Sequence, residues 1–245
     1  ATVAVVGGGA GGTELCLALR HRLSTVEKFS GVTIVLYTRS AFMRSQSRRG
    51  RSLIRKALEE RSIRLVEGAN VLEVRAGLLR IEDPAAEAGF REEPFNHCLW
   101  CTNACPAQWL KGSGLTVDQG GFVLVNEHLQ SVNHPDVFAA GDCASIEGHP
   151  RPKAGVFAVR QGGPLMENLT RRLQGAPRLK RYVPQSKYLA IVGLGDEDAV
   201  ALRGGWGFRG SWVWRLKDWI DTTWMAKYTS EVRDALKTMA STGAG

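Results

Sequence analysis

Gly7-Gly8-Gly9-Ala10-Gly11-Gly12 is the segment of this 245-residue sequence best suited to hold a ligand. Its glycines satisfy the spacing G-x-G-x-x-G. The apolar run Val3–Val6 precedes it, and Glu14 to Leu23 reads as a helix behind it. In that setting Gly7 permits a tight turn, and Gly9 lets a pyrophosphate approach the backbone. Gly12 lets the helix pack close to the strand. Free N–H groups at the helix start then face the phosphates with a partial positive charge. The implied chemistry is the recognition of a dinucleotide.

Such a site usually takes the ribose hydroxyls with an acid roughly 20 residues on, near the end of the next strand. The next strand is Val32–Tyr37, and the place of the acid holds Tyr37-Thr38-Arg39-Ser40. There is no carboxylate there. Arg39 is of the right type for a 2′-phosphate, and the choice between NAD and NADP stays open at this level. Arg39 also begins a basic run of Arg44, Arg48, Arg49, Arg51, Arg55 and Lys56, with no acid between Thr38 and Ala57. These seven charges nearly equal the formal net charge of +8. A nucleic-acid surface would interleave aromatics or carry a known binding motif. Neither accompanies the run, so no nucleic-acid partner is expected. A phosphate-rich small ligand and a solvated helix face are the other readings.

The five cysteines are Cys16, Cys98, Cys101, Cys105 and Cys143, an odd number that argues against a secreted disulfide framework and for a cytoplasmic location. C-x-x-C-x-x-x-C beside His97 lacks the second closing pair of a structural zinc site, so no metal is expected. Cys98 and Cys101 lie on an apolar strand rather than at a helix start, where a redox thiol would be activated. No Ser-His-Asp set or carboxylate pair stands out, and no catalytic residue is assigned. Hydride chemistry needs none, because the cofactors carry it.

Around the glycine turn the elements alternate. Val3–Val6, the helix after it, Val32–Tyr37, a helix over Ser52 to Arg61 and a strand at Ile63–Val66 make a βαβ series. The fold class is therefore α/β with a doubly wound parallel sheet. Short strands at Val71–Val74, Leu78–Ile81 and His97–Cys101 read as a meander on the edge of that sheet. Phe122–Val125 and Val137–Ala140 read as further strands, Ala154 to Leu173 as a long helix, and Arg178 to Pro184 as a linker. Tyr188–Val192 and Ala199–Leu202 alternate as a hairpin, and the tail from Trp212 is helical. Hydrophobic residues at 44% and charged residues at 23% suit a folded chain. No apolar stretch reaches the roughly 18 residues of a transmembrane helix.

At this point the motifs resemble a known group. Gly7–Gly12 followed by Thr13-Glu14 is similar to the nicotinamide-binding Rossmann motif of the pyridine nucleotide-disulfide oxidoreductase superfamily, which includes type II NADH dehydrogenases. The resemblance places Glu14 near the nicotinamide. Val137-Phe138-Ala139-Ala140-Gly141-Asp142-Cys143-Ala144 resembles the flavin box, where Gly141 and Asp142 meet the ribityl and phosphate part of FAD. Lys153-Ala154-Gly155-Val156, with the helix that follows, resembles the segment facing the isoalloxazine and, where one is used, the quinone. The box that closes the nicotinamide domain reads Cys101-Thr102-Asn103, with Asn where the family has Gly. Thr102, Asn103 and Arg39 join the expected cofactor contacts.

The tail Trp212-Val213-Trp214-Arg215-Leu216-Lys217-Asp218-Trp219-Ile220-Asp221 resembles the FAD module fused ahead of selenide, water dikinase. The family's earlier G-x-G-x-x-G, which binds the adenosine half of FAD, has no counterpart here. Together with an opening strand already under way, this makes the chain look like the later portion of a larger flavoprotein, its FAD half lying N-terminal.

The resemblance implies three stretches: residues 1–105 for NAD(P), 106–180 for the rest of an FAD domain, and 181–245 for a docking hairpin and helices. It implies FAD-dependent oxidation of NAD(P)H with transfer to a quinone or another acceptor. The alternative is a non-catalytic nucleotide-binding or interaction module accompanying selenophosphate synthesis. On a helical wheel Trp212, Val213, Leu216, Trp219, Ile220, Thr223 and Trp224 fall in an arc of about 140°, with Trp214 as the exception. That face suits docking on the flavin domain, a second copy in a homodimer, or a membrane surface. From Ser211 to Tyr228 the charge is only +1, from Arg215, Lys217 and Lys227 against Asp218 and Asp221, which favours protein over a polybasic membrane anchor.

Overall fold

The computed structural model describes residues 1–242, with side chains described as far as Thr229. The chain forms two compact units. Ala1–Thr102 joins the segment from Leu189 onward in the first, and Asn103–Tyr188 forms the second. Of the C-terminal stretch set out in the sequence, residues 181–188 thus fall in the second unit and the part from Leu189 onward in the first; residues 243–245 lie outside the described residues.

In chain order the first unit opens with β1 (Thr2–Val6), α1 (Ala10–Ser24), β2 (Thr33–Thr38), α2 (Arg48–Glu60) and β3 (Arg64–Glu67). It continues with β4 (Val71–Arg75), β5 (Leu78–Glu82), β6 (Phe90–Pro94) and β7 (His97–Trp100). A parallel sheet runs in the order β3-β2-β1-β7. The βαβ alternation and the α/β class read from the sequence are present. His97–Trp100, however, is not part of the edge meander. It is a fourth parallel strand beside β1, pairing Val3 with His97 and Val6 with Trp100. The Asn96 side chain accepts from Thr2 N–H at 2.7 Å and so starts that ladder. The meander is a separate antiparallel sheet, β4-β5-β6. Its third strand has no apolar face to betray it; cross-strand pairs such as Arg80–Glu92 at 2.8 Å hold it instead.

Both faces of the parallel sheet are covered, which accounts for the unbroken apolar runs in β1 and β2. On one side Ala4, Val6, Val35 and Tyr37 pack against Leu79 and Ile81 of β5. On the other, Ile34 and Leu36 meet Leu17 of α1 and Ile54 of α2.

The second unit holds β8 (Val123–Val125), β9 (Ala144–Ile146) and α3 (Gly155–Leu173). β8 and β9 pair in parallel over a core of Leu110, Val125, Leu129, Ile146 and Tyr182. Val137–Ala140 is not the expected strand. It is half-buried and has one bridge, Gln130 with Phe138, because Gly141 turns the chain in the left-handed region (φ +72°) before a ladder can extend. Arg178 to Pro184 carries no regular structure but is tied down, with Lys180 N–H on Asn168 Oδ1 at 2.6 Å and Tyr182 N–H on the Glu127 carbonyl at 2.7 Å.

The chain returns to the first unit as β10 (Ala190–Gly193), β11 (Ala199–Arg203), β12 (Trp206–Gly210) and α4 (Ser211–Thr242). β10-β11-β12 is an antiparallel sheet whose Val192, Leu194, Val200 and Leu202 enter the same core as α1 and α2. The two helices are sandwiched between sheets. Gly50 permits this approach on α2, since a Cβ there would stand 2.6 Å from Leu202 Cδ2. On the outer face of this sheet α4 docks through Val213 and Trp214 onto Ala199, Ala201 and Ile191. Trp214, the exception on the wheel, is thus a packed residue. Trp212 and Trp219 are 56% and 64% exposed, and every residue from Asp218 to Thr223 is exposed.

Candidate functional site

The six-residue turn connects the end of β1 to α1, and its glycines divide into two kinds. Gly7 adopts φ +129°, and a Cβ on it would overlap the Cys101 carbonyl. A Cβ on Gly12 would fall on the Gly7 carbonyl oxygen, and one on Gly8 would stand 2.5 Å from Thr38 Cβ. These three are required by the fold. Gly9 and Gly11 are different: a Cβ on either meets nothing within 4 Å. Gly9 is the N-cap of α1, no side chain caps that end, and the first turn carries no acid. Thr13 fixes the turn from below, its Oγ1 donating to the Gly9 carbonyl at 2.7 Å. An uncapped helix start beneath two open glycines leaves N–H groups and a partial positive charge free to meet an anionic group such as a pyrophosphate. The dinucleotide phosphates expected from the sequence are of that kind.

The segment from β2 to α2 closes one side. Met43 N–H donates to the Gly8 carbonyl at 3.0 Å, and Phe42 and Met43 are buried in the core. Glu67, the register partner of Thr38 at the end of β3, holds this segment. One carboxylate oxygen accepts Phe42 N–H at 2.6 Å and the other accepts Arg55 at 2.7 Å. The Phe42 amide and the Arg55 guanidinium hold its pKa below the usual carboxylate value. A depressed folded pKa contributes stability above the unfolded value that is lost as pH falls through the folded one. Glu67→Gln is therefore expected to lower stability at neutral pH by about 0.5–1 kcal/mol, given its partial exposure. Urea unfolding of both proteins over a falling pH series should show that difference shrink as the carboxylate of the folded protein is protonated. A difference that persists in acid would assign Glu67 a packing role instead.

Glu14 does not stand free beside the turn. Its Oε1 accepts Gly193 N–H of β10 at 3.1 Å, and Lys217 Nζ of α4 lies 3.8 Å away. These groups border a shallow cleft with Ala18, Gly195 and Trp214. Burial works against the Lys217 ammonium, but Asp221 at 2.7 Å and Glu14 outweigh it and raise its pKa. In this structure Glu14 ties the C-terminal sheet to α1. Thr102, exposed, follows β7 where the Cys101 carbonyl backs Gly7, and Asn103 begins the second unit. Cys98 and Cys101 pack into opposite cores. Burial raises both thiol pKa values and pushes Cys16 up to about 12, the reverse of an activated thiol.

In the second unit the flavin-box residues surround a small cleft bordered by Asp142, Ser145, Arg151, Lys153, Phe157 and Gln161. Gly141 N–H donates to the buried Gln161 Oε1 at 2.5 Å, which sets the turn. Asp142 is exposed, and its carboxylate makes no hydrogen bond among the described residues. α3 starts after Ala154 with no side-chain cap, leaving the N–H groups of Gly155 and Val156 open. Lys153 Nζ donates to the Ala144 carbonyl at 2.5 Å and sits 3.9 Å from the Phe122 ring centroid. Burial lowers its pKa, with Asp118 and Asp142 opposing. Burial also pushes against the Asp118 carboxylate, but Ser145 and the Phe122 and Gly120 amides outweigh it and lower its pKa. A free carboxylate beside an uncapped helix start fits the hydroxyls and polar edge of a flavin. Gln161 and Asp118 were not singled out from the sequence. The signal for Asp118 was its place ahead of Gly120-Gly121, and for Gln161 a polar residue on a helix face that also carries Phe157.

Residues 1–162 match the pyridine nucleotide-disulphide oxidoreductase family. The chain is 25% identical over 194 residues to the NADH dehydrogenase-like protein YutJ of Bacillus subtilis, covering 79% of this chain and 50% of that protein. It therefore spans about half the length of the curated relatives it matches. Two solved structures share its fold. The sulfide:quinone oxidoreductase of Aquifex aeolicus aligns at TM-score 0.70 and 17% identity, over 92% of this chain and 57% of its own. NDH2 of Plasmodium falciparum, solved with NADH, aligns at TM-score 0.71 and 12% identity, over 88% of this chain and 61% of its own.

Proposed function

This chain belongs to the pyridine nucleotide-disulphide oxidoreductase family, and on that premise we propose that it serves a flavin-dependent NAD(P)H oxidoreductase. The observation that carries this reading is the uncapped start of α1 under the open faces of Gly9 and Gly11. The N–H groups there bind the pyrophosphate, while Gly7, Gly8 and Gly12 keep strand, turn and helix in contact. In the second unit Asp142 accepts hydrogen bonds from ribityl hydroxyls, and the open N–H groups of α3 stabilise negative charge on the flavin ring. Bound FAD would supply the two-electron acceptor for the nicotinamide hydride. No side chain of this chain is assigned a proton-transfer role.

A quinone is the proposed final acceptor, supported by the name of the Aquifex relative and by the segment that begins at Lys153. The tail supports an arrangement ahead of selenide, water dikinase, which the reading frame after Gly245 tests. The exposed Trp212 and Trp219 offer a face for a second copy or a membrane surface. No helix among the described residues is long and apolar enough to cross a membrane. A binding module without turnover is the second reading, favoured by the engagement of Glu14 with Gly193.

Calorimetric titration with NADH and NADPH, followed by anaerobic mixing with FAD in large excess so that a weakly held flavin still occupies its site, tests the proposal. Saturable binding with bleaching of the flavin absorbance supports the oxidoreductase. Binding without bleaching leaves the module, and no binding of either nucleotide sinks both readings.

A further inference from the structure

We infer that the dinucleotide turn takes NADPH in preference to NADH, with the 2′-phosphate held by Arg39 and drawn also by Arg44. This deepens the proposed function and rests on it. β2 ends at Thr38, whose Cβ packs against Gly8, and Gly7 N–H donates to the Tyr37 carbonyl at 2.9 Å. Arg39 therefore leaves the sheet directly beside the turn, where the ribose of a bound nucleotide falls. The backbone beyond it is not free to swing away. Met43 N–H is fixed to the Gly8 carbonyl, and buried Phe42 and Met43 hold the segment into the core. Arg39 and Arg44 flank that anchor and are both exposed.

The carboxylate nearest in the sheet is Glu67, directly opposite Thr38 in the parallel register. Both of its oxygens are already taken, one by Phe42 N–H and one by Arg55. It is turned under the segment as a tether, and it is not offered to a 2′-hydroxyl. An NADH site places a carboxylate at this point, which accepts from the hydroxyls and repels a 2′-phosphate. Here the sign is reversed. Arg39, Arg44, Arg48 and Arg49 make no ion pair or hydrogen bond among the described residues. Their planar guanidinium groups suit the doubly charged phosphate, which accepts in bidentate fashion.

The test is calorimetric titration of the chain with NADPH, NADH and 2′,5′-ADP, a fragment that carries the 2′-phosphate without the nicotinamide. NADPH is expected to bind about ten- to a hundredfold more tightly than NADH, and 2′,5′-ADP to compete with it. Arg39→Ala should cut the NADPH-to-NADH affinity ratio about tenfold or more, and Arg39→Asp should invert it. Arg203→Ala removes the same charge from the exposed end of β11, and the ratio should survive it. Circular dichroism establishes that each variant is folded. Equal affinities, a preference for NADH, or an Arg203→Ala effect as large as that of Arg39→Ala would overturn the inference alone. Absence of binding by either nucleotide would overturn the dinucleotide site itself, so the two failures are distinct.

Discussion

Gly9→Val is expected to abolish measurable NAD(P)H binding while leaving the fold intact, whereas Gly12→Val is expected to destroy the fold. Both residues belong to one motif, yet the structure gives them opposite surroundings. Gly9 is in ordinary extended backbone (φ −82°, ψ −176°), and its side-chain position faces open space. Valine fits there at a cost of about 1 kcal/mol for a poorer helix cap. Its branched side chain then fills the volume that the pyrophosphate must enter, so the loss falls on binding. At Gly12 the same branch meets the Gly7 carbonyl oxygen, with Cys101 Cβ at 3.3 Å. Neither neighbour yields, because Gly7 is itself fixed between Tyr37 and Cys101. Strain of several kcal/mol at the centre of the sheet rivals the whole stability of a domain. Calorimetry with NADPH and thermal unfolding by circular dichroism separate the outcomes. A Gly9→Val protein that binds as the native chain does would place the phosphates elsewhere.

The same contrast shows how much of the molecule local sequence carries. The parallel strands β1 and β2 were legible because both faces are covered, so burial writes a continuous apolar run. The glycine turn was legible because backbone geometry demands the residue type itself. β6 was not, since its Arg91, Glu92 and Glu93 are held by charge pairs and not by burial: Glu92 with Arg80 across the ladder, Glu93 with Arg64 of β3 and with Arg91 of its own strand. β12 was hidden in the same way: Trp206 and Phe208 face outward and stack on each other, with centroids 6.3 Å apart. The place of β7 beside β1 depends on residues more than 90 positions apart. Glu14 is the sharpest case. The family resemblance implied a role at the nicotinamide, while its hydrogen-bond partner Gly193 lies 179 residues away. Glu67 and Gln161 likewise act through backbone amides of distant segments, Phe42 and Gly141. Polar contacts of this kind leave no periodic trace, and these are the contacts that shape the site.

The chain purified alone is expected to carry little FAD, even though its second unit presents Gly141, Asp142 and the open start of α3. Those groups suit the ribityl chain and the ring. The adenosine and pyrophosphate of a dinucleotide rest on a glycine turn at a helix start. The G-x-G-x-x-G that turns from a strand end into a helix start here is Gly7–Gly12 in the first unit; Gly205–Gly210 matches the spacing too, but it runs along the antiparallel strand β12. Contacts to the ribityl and ring portion alone must offset the full cost of immobilising the cofactor, estimated at about 4–15 kcal/mol before any gain appears as affinity. Affinity in the range of ~10 µM or weaker follows, and such a complex loses its flavin on a desalting column. Reduced nicotinamide dinucleotide, whose turn is complete, should still bind the same preparation. The measurement is the visible absorbance of the protein after desalting, before and after incubation with excess FAD. A yellow protein with one flavin per chain that oxidises NAD(P)H would refute this, and would reassign Gly7–Gly12 to FAD. In that event Gly9→Val would bleach the preparation, whereas under the assignment argued here it would change nicotinamide binding and leave the absorbance as it was.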